Sequence, residues 1–281
     1  MISGKAKLAG VMGWPVQHSQ SPCLHGYWLN QYGIDGAYVP LPVRPEDFDA
    51  AFRALPKLGF SGVNITVPHK QKALELVDVI DPVARQIGAV NTVTVSKDGR
   101  LTGYNTDGYG FLENLRHGCP DHNPGAGPAV ILGAGGAARA IVCSLIDAGV
   151  TDLRLVNRTR ERADTLARSV QGRVSVYGFS DINQALDGAS LLVNTTSLGM
   201  EKSPPLEISL EALPAHALVN DIVYAPLRTE LLKTAEARGN PVVDGLGMLL
   251  YQARAGFEKW FGVLPEVTED LRVHVLKGMS G

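Results

Sequence analysis

The chain is poor in several features that would each have announced a class of protein. It has three cysteines in 281 residues, Cys23, Cys119 and Cys143. They are odd in number and lack C-x-x-C or metal-ligand spacing, so neither a disulfide framework nor a metal site is expected. They read as free thiols of a reducing compartment, and the expected location is cytoplasmic. Aromatic residues make up only 6% of the chain, and 26 basic side chains stand against 28 acidic ones. That balance leaves no electrostatic footprint for nucleic acid. No apolar run approaches the ~20 residues that span a bilayer. Met1-Ile-Ser-Gly-Lys-Ala-Lys7 leads into a strand rather than a secretion signal. Internal repeats and low-complexity tracts are missing too. What is present is a hydrophobic content of 45%, enough for an ordinary core, and 31 glycines, which imply many tight turns. The length admits two domains.

Ala129-Val-Ile-Leu132 is a short apolar run of the buried-strand type. Gly133-Ala134-Gly135-Gly136-Ala137-Ala138 follows at once, and Ala138, Ile141, Val142, Leu145 and Ile146 then recur at helical spacing up to Gly149. Leu153-Arg-Leu-Val156 is a second strand, closed by Asn157-Arg158-Thr159. The order is that of a βαβ unit for dinucleotides. Gly133 permits the tight turn, Gly135 lets backbone approach a pyrophosphate, and Ala138 allows helix to pack closely on strand. The helix N-terminus then favours the anion. A G-x-G-x-x-[GA] run alone also describes an ordinary strand-to-helix turn, but its two flanking strands favour the cofactor. The residues after the second strand select the nucleotide. Asn157 and Arg158, with Arg160 and Arg162 nearby, stand where an NAD site carries Asp or Glu. A guanidinium pairs with a 2′-phosphate that a carboxylate would repel, which points to NADP(H). A solvated basic loop before a helix over 160–169 is the plainer alternative.

Upstream, Lys7 to Met12 reads as a strand ending at Gly13-Trp14-Pro15, and His18-Ser19-Gln20-Ser21-Pro22 leads into a helical segment from Cys23 to Tyr32. Ser21 suits the N-cap and Pro22 the first helical position. Two hydroxyls, Ser19 and Ser21, beside unpaired helix N–H groups suit a small carboxylate equally well, and the local pattern does not choose. Further on come an extended segment over 37–43 and a helix over 45–58 with Phe48, Ala51, Phe52 and Leu55 on one face. An alternating strand over 62–67 precedes Pro68-His69-Lys70 and a helix over 71–79. Asp81-Pro82 starts another helical turn, and strands over 91–96 and 100–105 form a hairpin through Lys97-Asp98-Gly99. This alternation indicates an α/β domain with a mostly parallel sheet. Tyr109 to Leu115 begins a connecting helix, and 117–128, rich in proline and glycine, reads as an exposed loop into the second domain. There, strands are expected at 174–176, 191–193, 217–219 and 241–243, and helices at 182–186 and 229–238. A helix opening at Asp244-Gly245-Leu-Gly247-Met248 and a last one over 265–277 can pack back on the first domain.

The chain carries, in order, Ser19-Gln-Ser21-Pro22, Gly62-Val-Asn64-Ile-Thr66-Val-Pro-His-Lys70, Gly88-Ala-Val-Asn91-Thr92 and Gly103-Tyr-Asn-Thr-Asp107-Gly108. Asn157-Arg158-Thr159, Asn194-Thr-Thr-Ser197, Asp221-Ile-Val-Tyr224 and Asp244-Gly-Leu-Gly-Met248-Leu-Leu-Tyr-Gln252 follow. Each is weak alone, but in their shared order they resemble the shikimate dehydrogenase family nearly end to end. The resemblance implies reversible NADP-dependent interconversion of 3-dehydroshikimate and shikimate in aromatic amino-acid biosynthesis. It implies two α/β domains with the active site in the cleft between them. One is an N-terminal substrate domain with a mostly parallel sheet, 1–107 completed by 248–281, with the C-terminal helices packing back on it. The other is a Rossmann-type NADP-binding domain over 108–247.

Reducing a ketone needs a hydride donor at the carbonyl carbon and a proton source at its oxygen. By resemblance, Lys70 is the general acid/base and Asp107 its partner, also contacting a substrate hydroxyl. Without that resemblance Lys70 is a solvated lysine at a helix start. Ser19 and Ser21 then take the substrate carboxylate, Asn64, Thr66, Asn91 and Gln252 the ring hydroxyls, and Tyr224 closes the pocket. The cofactor falls to Gly133, Ala134, Gly135, Gly136, Ala137, Asn157, Arg158 and Thr159, with Thr195, Gly245 and Met248 towards the nicotinamide. His69 is assigned a structural role. The nearest rival is a dual shikimate/quinate dehydrogenase, whose NAD-using members tend to carry an acid at Asn157-Arg158 and Thr at Ser21. A non-catalytic NADPH-binding module is a rival of another class, and it would have no need of Lys70 and Asp107. The expected partner is a small-molecule substrate rather than nucleic acid or membrane. A homodimer is compatible with the sequence.

Overall fold

The computed structural model describes residues 2–279. The chain divides into two compact units, one made of residues up to Thr106 together with Leu250 onward, the other of Asp107–Leu249.

The first unit alternates β1 (Lys7–Gly13), α1 (Ser21–Gln31), β2 (Gly36–Pro42), α2 (Phe48–Ala54), β3 (Phe60–Ile65), α3 (Lys70–Leu76), β4 (Val79–Ile80) and α4 (Pro82–Ile87). The hairpin β5 (Thr92–Val95) and β6 (Leu101–Tyr104) follows. The sheet order is β2-β1-β3-β5-β6-β4, parallel except where β5 pairs with β3 and β6. Period-two alternation sorts the side chains. Met12, Val63 and Ile65 face a core with Phe48, Phe52 and Leu55. Tyr38, Ala9, Gly62 and Asn64 lie on the other face. A Cβ on Gly62 would stand 2.0 Å from the Val93 carbonyl oxygen and 2.2 Å from Trp260 Nε1. The glycine is therefore what lets that indole donate to Val93 O, at 2.9 Å.

The second unit opens with α5 (Asp107–Gly118) and continues β7 (Ala129–Leu132), α6 (Gly136–Asp147), β8 (Leu153–Val156), α7 (Arg160–Ser169), β9 (Val174–Tyr177) and α8 (Ile182–Leu186). It ends with β10 (Leu191–Asn194), β11 (Leu218–Asp221), α9 (Glu230–Ala237) and β12 (Val242–Val243). All its strand pairs are parallel, in the order β12-β11-β10-β7-β8-β9. This is the doubly wound dinucleotide-binding order, reversing between β7 and β10. Both faces of the sheet are covered, which is why β7 and β10 read as continuous apolar runs. No helix is long and apolar enough to cross a membrane among the described residues.

The chain then returns through α10 (Leu246–Phe261) and α11 (Glu269–Met279). From Leu250 onward it belongs to the first unit, as expected for C-terminal helices packing back on that domain. Trp28 Nε1 donates to Glu266 O at 3.1 Å, and α11 packs against α1.

Three local expectations fail. The helix over 45–58 is shorter, a 3-10 turn at Pro45–Asp47 followed by α2, because Pro56 and the left-handed Gly59 unwind its end. The helix over 71–79 stops at Leu76, and Val79–Ile80 becomes an edge strand beside β6. Asp78 causes this by accepting the Leu101 N–H at 2.7 Å, which draws the chain to the sheet. The segment 117–128 is not all loop, since α5 runs to Gly118.

Under Tyr38 lies His25, 0% exposed, with neither ring nitrogen hydrogen-bonded among the described residues. Its imidazole stacks on the Tyr38 ring, centroids 4.0 Å apart and planes at 6°, within reach of Trp28, Phe257 and Trp260. Burial holds its pKa down to about 3, so the folded protein keeps the ring neutral. The unfolded chain takes up a proton below about 6.5. The stability this implies is complete above that pH and is lost as the pH falls towards about 3, at up to ~1.4 kcal/mol per pH unit. His25→Phe keeps the stack and removes the titration. Urea unfolding of this variant between about pH 4 and about pH 6 is expected to show a pH slope smaller by about one proton, and equal slopes would contradict the assignment.

Candidate active site

In the second unit, β7 is followed by Gly133, whose φ of 108° and crowding (a Cβ would lie 2.7 Å from Thr195 Oγ1) both demand glycine. Gly135, the N-cap of α6, is different. Its φ of −90° and ψ of −170° are open to any residue, and a Cβ there would meet nothing within 4 Å. Neither strain nor protein packing accounts for glycine at this position. Backbone approach to a phosphate would, and the residues present therefore fit a dinucleotide. Gly136 likewise faces open space, Ala134 and Ala137 flank the two glycines, and Ala138 is buried against the sheet as the close-packing position.

At the end of β8, Asn157 Nδ2 donates to Thr159 O at 2.7 Å, fixing the turn that presents Arg158 to solvent. Beyond β10, the Thr195 hydroxyl donates to Leu132 O at 2.6 Å and pins the loop over Gly133. Met248 packs against the core of this unit. Gly245 is accounted for by crowding, since a Cβ would lie 2.3 Å from Ile222 O. Tyr224 follows β11.

The sequence motifs contained one determinant that pattern alone did not single out. Asp221, 0% exposed at the end of β11, accepts from Asn194 Nδ2 at 2.9 Å, Val223 N at 3.0 Å and the Thr229 hydroxyl at 2.7 Å. Burial raises its pKa, and those donors oppose the rise. Asn194 in turn accepts from Thr196 N–H and hydroxyl at 3.0 and 2.7 Å. The carboxylate thus shapes the loop carrying Thr195. An acid closing an apolar strand was the available signal.

In the first unit, Ser19 and Ser21 sit at the start of α1, but Ser21 is not the N-cap. Gln20 holds that position and Ser21 is the first helical residue. The reason is that the Ser19 hydroxyl already accepts the Ser21 N–H, at 3.3 Å. Ser21 is thereby released from capping, and its side chain is buried where α1 packs against β2, the strand of Tyr38. Tyr38 donates to Asn64 Oδ1 at 2.6 Å. Asn64 Nδ2 donates to Asn91 O and Thr92 Oγ1, both at 3.1 Å. Thr92 donates to Asn91 Oδ1 at 2.9 Å, and Asn91 Nδ2 reaches Thr106 Oγ1 at 3.0 Å and Gln252 Oε1 at 3.5 Å. One hydrogen-bonded chain so joins Tyr38, Asn64, Asn91 and Gln252. Its members Tyr38, Thr92 and Thr106 were not identified from sequence. Both Asn64 donor hydrogens are used internally, which leaves its amide oxygen as the group that can meet a ligand.

Thr66 stands beside Gly13, where a Cβ would come within 2.3 Å of its methyl group. Lys70 opens α3, directly after His69. His69 donates from Nε2 to Val43 O at 2.8 Å and stacks on Phe48, centroids 4.2 Å apart, so its ring serves packing. Asp107 opens α5.

Three family models match the chain. They are the shikimate dehydrogenase substrate binding domain over residues 11–93, shikimate / quinate 5-dehydrogenase over 125–201, and the shikimate 5'-dehydrogenase C-terminal domain over 245–271. Shikimate dehydrogenase (NADP(+)) of Paramagnetospirillum magneticum is 60% identical over 275 residues, 98% of this chain and 100% of that protein. Among solved structures, shikimate 5-dehydrogenase of Thermus thermophilus in complex with NADP(H) and shikimate gives a TM-score of 0.86 at 36% identity, covering 96% of this chain and 99% of that one. Quinate dehydrogenase from Corynebacterium glutamicum in complex with NAD gives 0.90 at 32% identity, covering 97% and 99%. Shape alone does not separate the two activities.

Since the space at Gly135 is open, Gly135→Ala should leave stability within about 1 kcal/mol in thermal unfolding. It should weaken NADP+ about ten-fold or more in a direct titration, where the methyl meets the pyrophosphate. Unchanged affinity would show that nothing approaches this backbone.

Proposed function

The chain belongs to the shikimate dehydrogenase family, and on that premise we propose that it reversibly reduces 3-dehydroshikimate to shikimate with NADPH, a step of aromatic amino-acid biosynthesis. The observation that carries this reading is the end-to-end match, 98% of this chain against 100% of a relative, rather than any single motif.

NADPH, when bound, supplies the hydride. Its pyrophosphate is assigned to the loop from Gly133 to Ala137, and its 2′-phosphate to Arg158, with Asn157 and Thr159 shaping that turn. Thr195, Gly245 and Met248 serve the nicotinamide end. Lys70 acts as general acid/base at the reacting oxygen, giving up its proton as the ketone becomes an alcohol and regaining it in the reverse direction. Asp107 orients and balances the ammonium and accepts from a substrate hydroxyl. Ser19 and Ser21 hold the carboxylate, and Thr66, Asn91 and Gln252 hold the ring hydroxyls. Asn64 receives one as an acceptor, and Tyr224 also contacts the substrate. An analogue short of a hydroxyl leaves such buried groups unpaired, and discrimination follows. The setting is the cytoplasm, and a homodimer is the assembly to look for in solution.

The rival, a quinate-active enzyme, is favoured by the shape match to a quinate dehydrogenase and opposed by Arg158 and Ser21. Initial rates with shikimate and quinate, each with NADP+ and NAD+, decide the matter. Shikimate with NADP+ should be fastest, and preference for quinate with NAD+ would overturn the reading. Lys70→Ala should lower kcat by about two to four orders of magnitude with NADP+ affinity near that of the unsubstituted chain. An active Lys70→Ala enzyme would remove Lys70 from the chemistry.

A further inference from the structure

Tyr38 sits on β2, at the edge of its sheet, and its ring crosses β1 over Ala9 to reach Asn64 on β3. Only a small residue on β1 leaves that path open. The ring is held from beneath by the His25 stack at 4.0 Å. It cannot tilt without exposing an imidazole that has no hydrogen bonds of its own among the described residues. The phenol is therefore fixed in place, and it donates to Asn64 Oδ1 at 2.6 Å. Ser21, buried on the helix that packs against β2, and Asn64 belong to opposite jobs, the first to the carboxylate and the second to a ring hydroxyl.

We propose that Tyr38 is a positioning residue for substrate specificity, its hydroxyl fixing the Asn64 amide so that a ring hydroxyl is recognised at one place relative to the carboxylate. This rests on the function assigned above. The donor from Tyr38 occupies one lone pair of Asn64 Oδ1 and directs the other to the substrate, while Asn91 O, an acceptor facing Nδ2 at 3.1 Å, prevents the amide from turning over. A cyclic acid whose hydroxyl lies elsewhere on the ring meets no acceptor.

The test is steady-state kinetics of Tyr38→Phe, which keeps the ring and its stack. The expected result is a rise of about ten-fold in KM for shikimate, a smaller loss in kcat and a KM for NADP+ within about two-fold of the unsubstituted chain. Shikimate analogues each lacking one ring hydroxyl give the second reading. The penalty of Tyr38→Phe should vanish for the analogue missing the hydroxyl that Asn64 receives and persist for the others. General damage to the fold would instead raise KM for every analogue alike. An unaltered KM for shikimate, or an equal penalty across the series, overturns the role of Tyr38. Failure of the unsubstituted protein to oxidise shikimate with NADP+ overturns the function itself. An active unsubstituted protein beside an unaffected variant removes only the inference.

Discussion

A hydrogen bond that water cannot replace holds its neighbours as firmly as itself. Leaving one buried donor or acceptor unmade costs on the order of 1–3 kcal/mol, so a closed set of such bonds moves as a whole or not at all. The first unit is built around such a set, running from Tyr38 through Asn64, Thr92 and Asn91 to Gln252. The second unit has its own at the ends of β10 and β11, centred on Asp221. In both, the side chains that would meet a ligand are braced by others that would not. Such bracing keeps polar groups in productive geometry without relying on the ligand to order them.

The architecture was largely legible because strands and helices alternate and their apolar periods differ. In the second unit, β7, α6 and β8 follow the written pattern closely, since a sheet buried on both faces tolerates only continuous apolar strands. The errors lie where one hydrogen bond outweighs a periodic signal. Asp78 pulls Val79–Ile80 into a strand, and the Ser19 hydroxyl takes the capping task that pattern gave to Ser21. The candidate site residues stand out in the sequence as motifs, but the side chains that hold them do not. Tyr38 in an edge strand looks like any half-buried aromatic, and its partner Asn64 is 26 positions away. Nothing local in a sequence reports a contact of that separation.

The glycines divide by cause. Gly133 needs its positive φ, Gly62 and Gly245 need the absence of a side chain against neighbouring backbone and indole, and Gly135 needs neither. Only the last kind points beyond the protein. A glycine explained by its own fold says nothing about ligands, whereas one with free space and an ordinary conformation is a position kept clear for something else.

The division of the first unit along the chain bears on how the molecule is made. Its sheet is complete at Tyr104, but Trp260 and Glu266, which bond to Val93 and Trp28, belong to residues that leave the ribosome only after all of Asp107–Leu249. At ordinary translation speeds this delay is on the order of ten seconds. Until then one face of the early sheet, with His25 and Tyr38, awaits the aromatic residues of α10. The nucleotide-binding unit, continuous in the chain, has every strand it needs before the half that was started first can close.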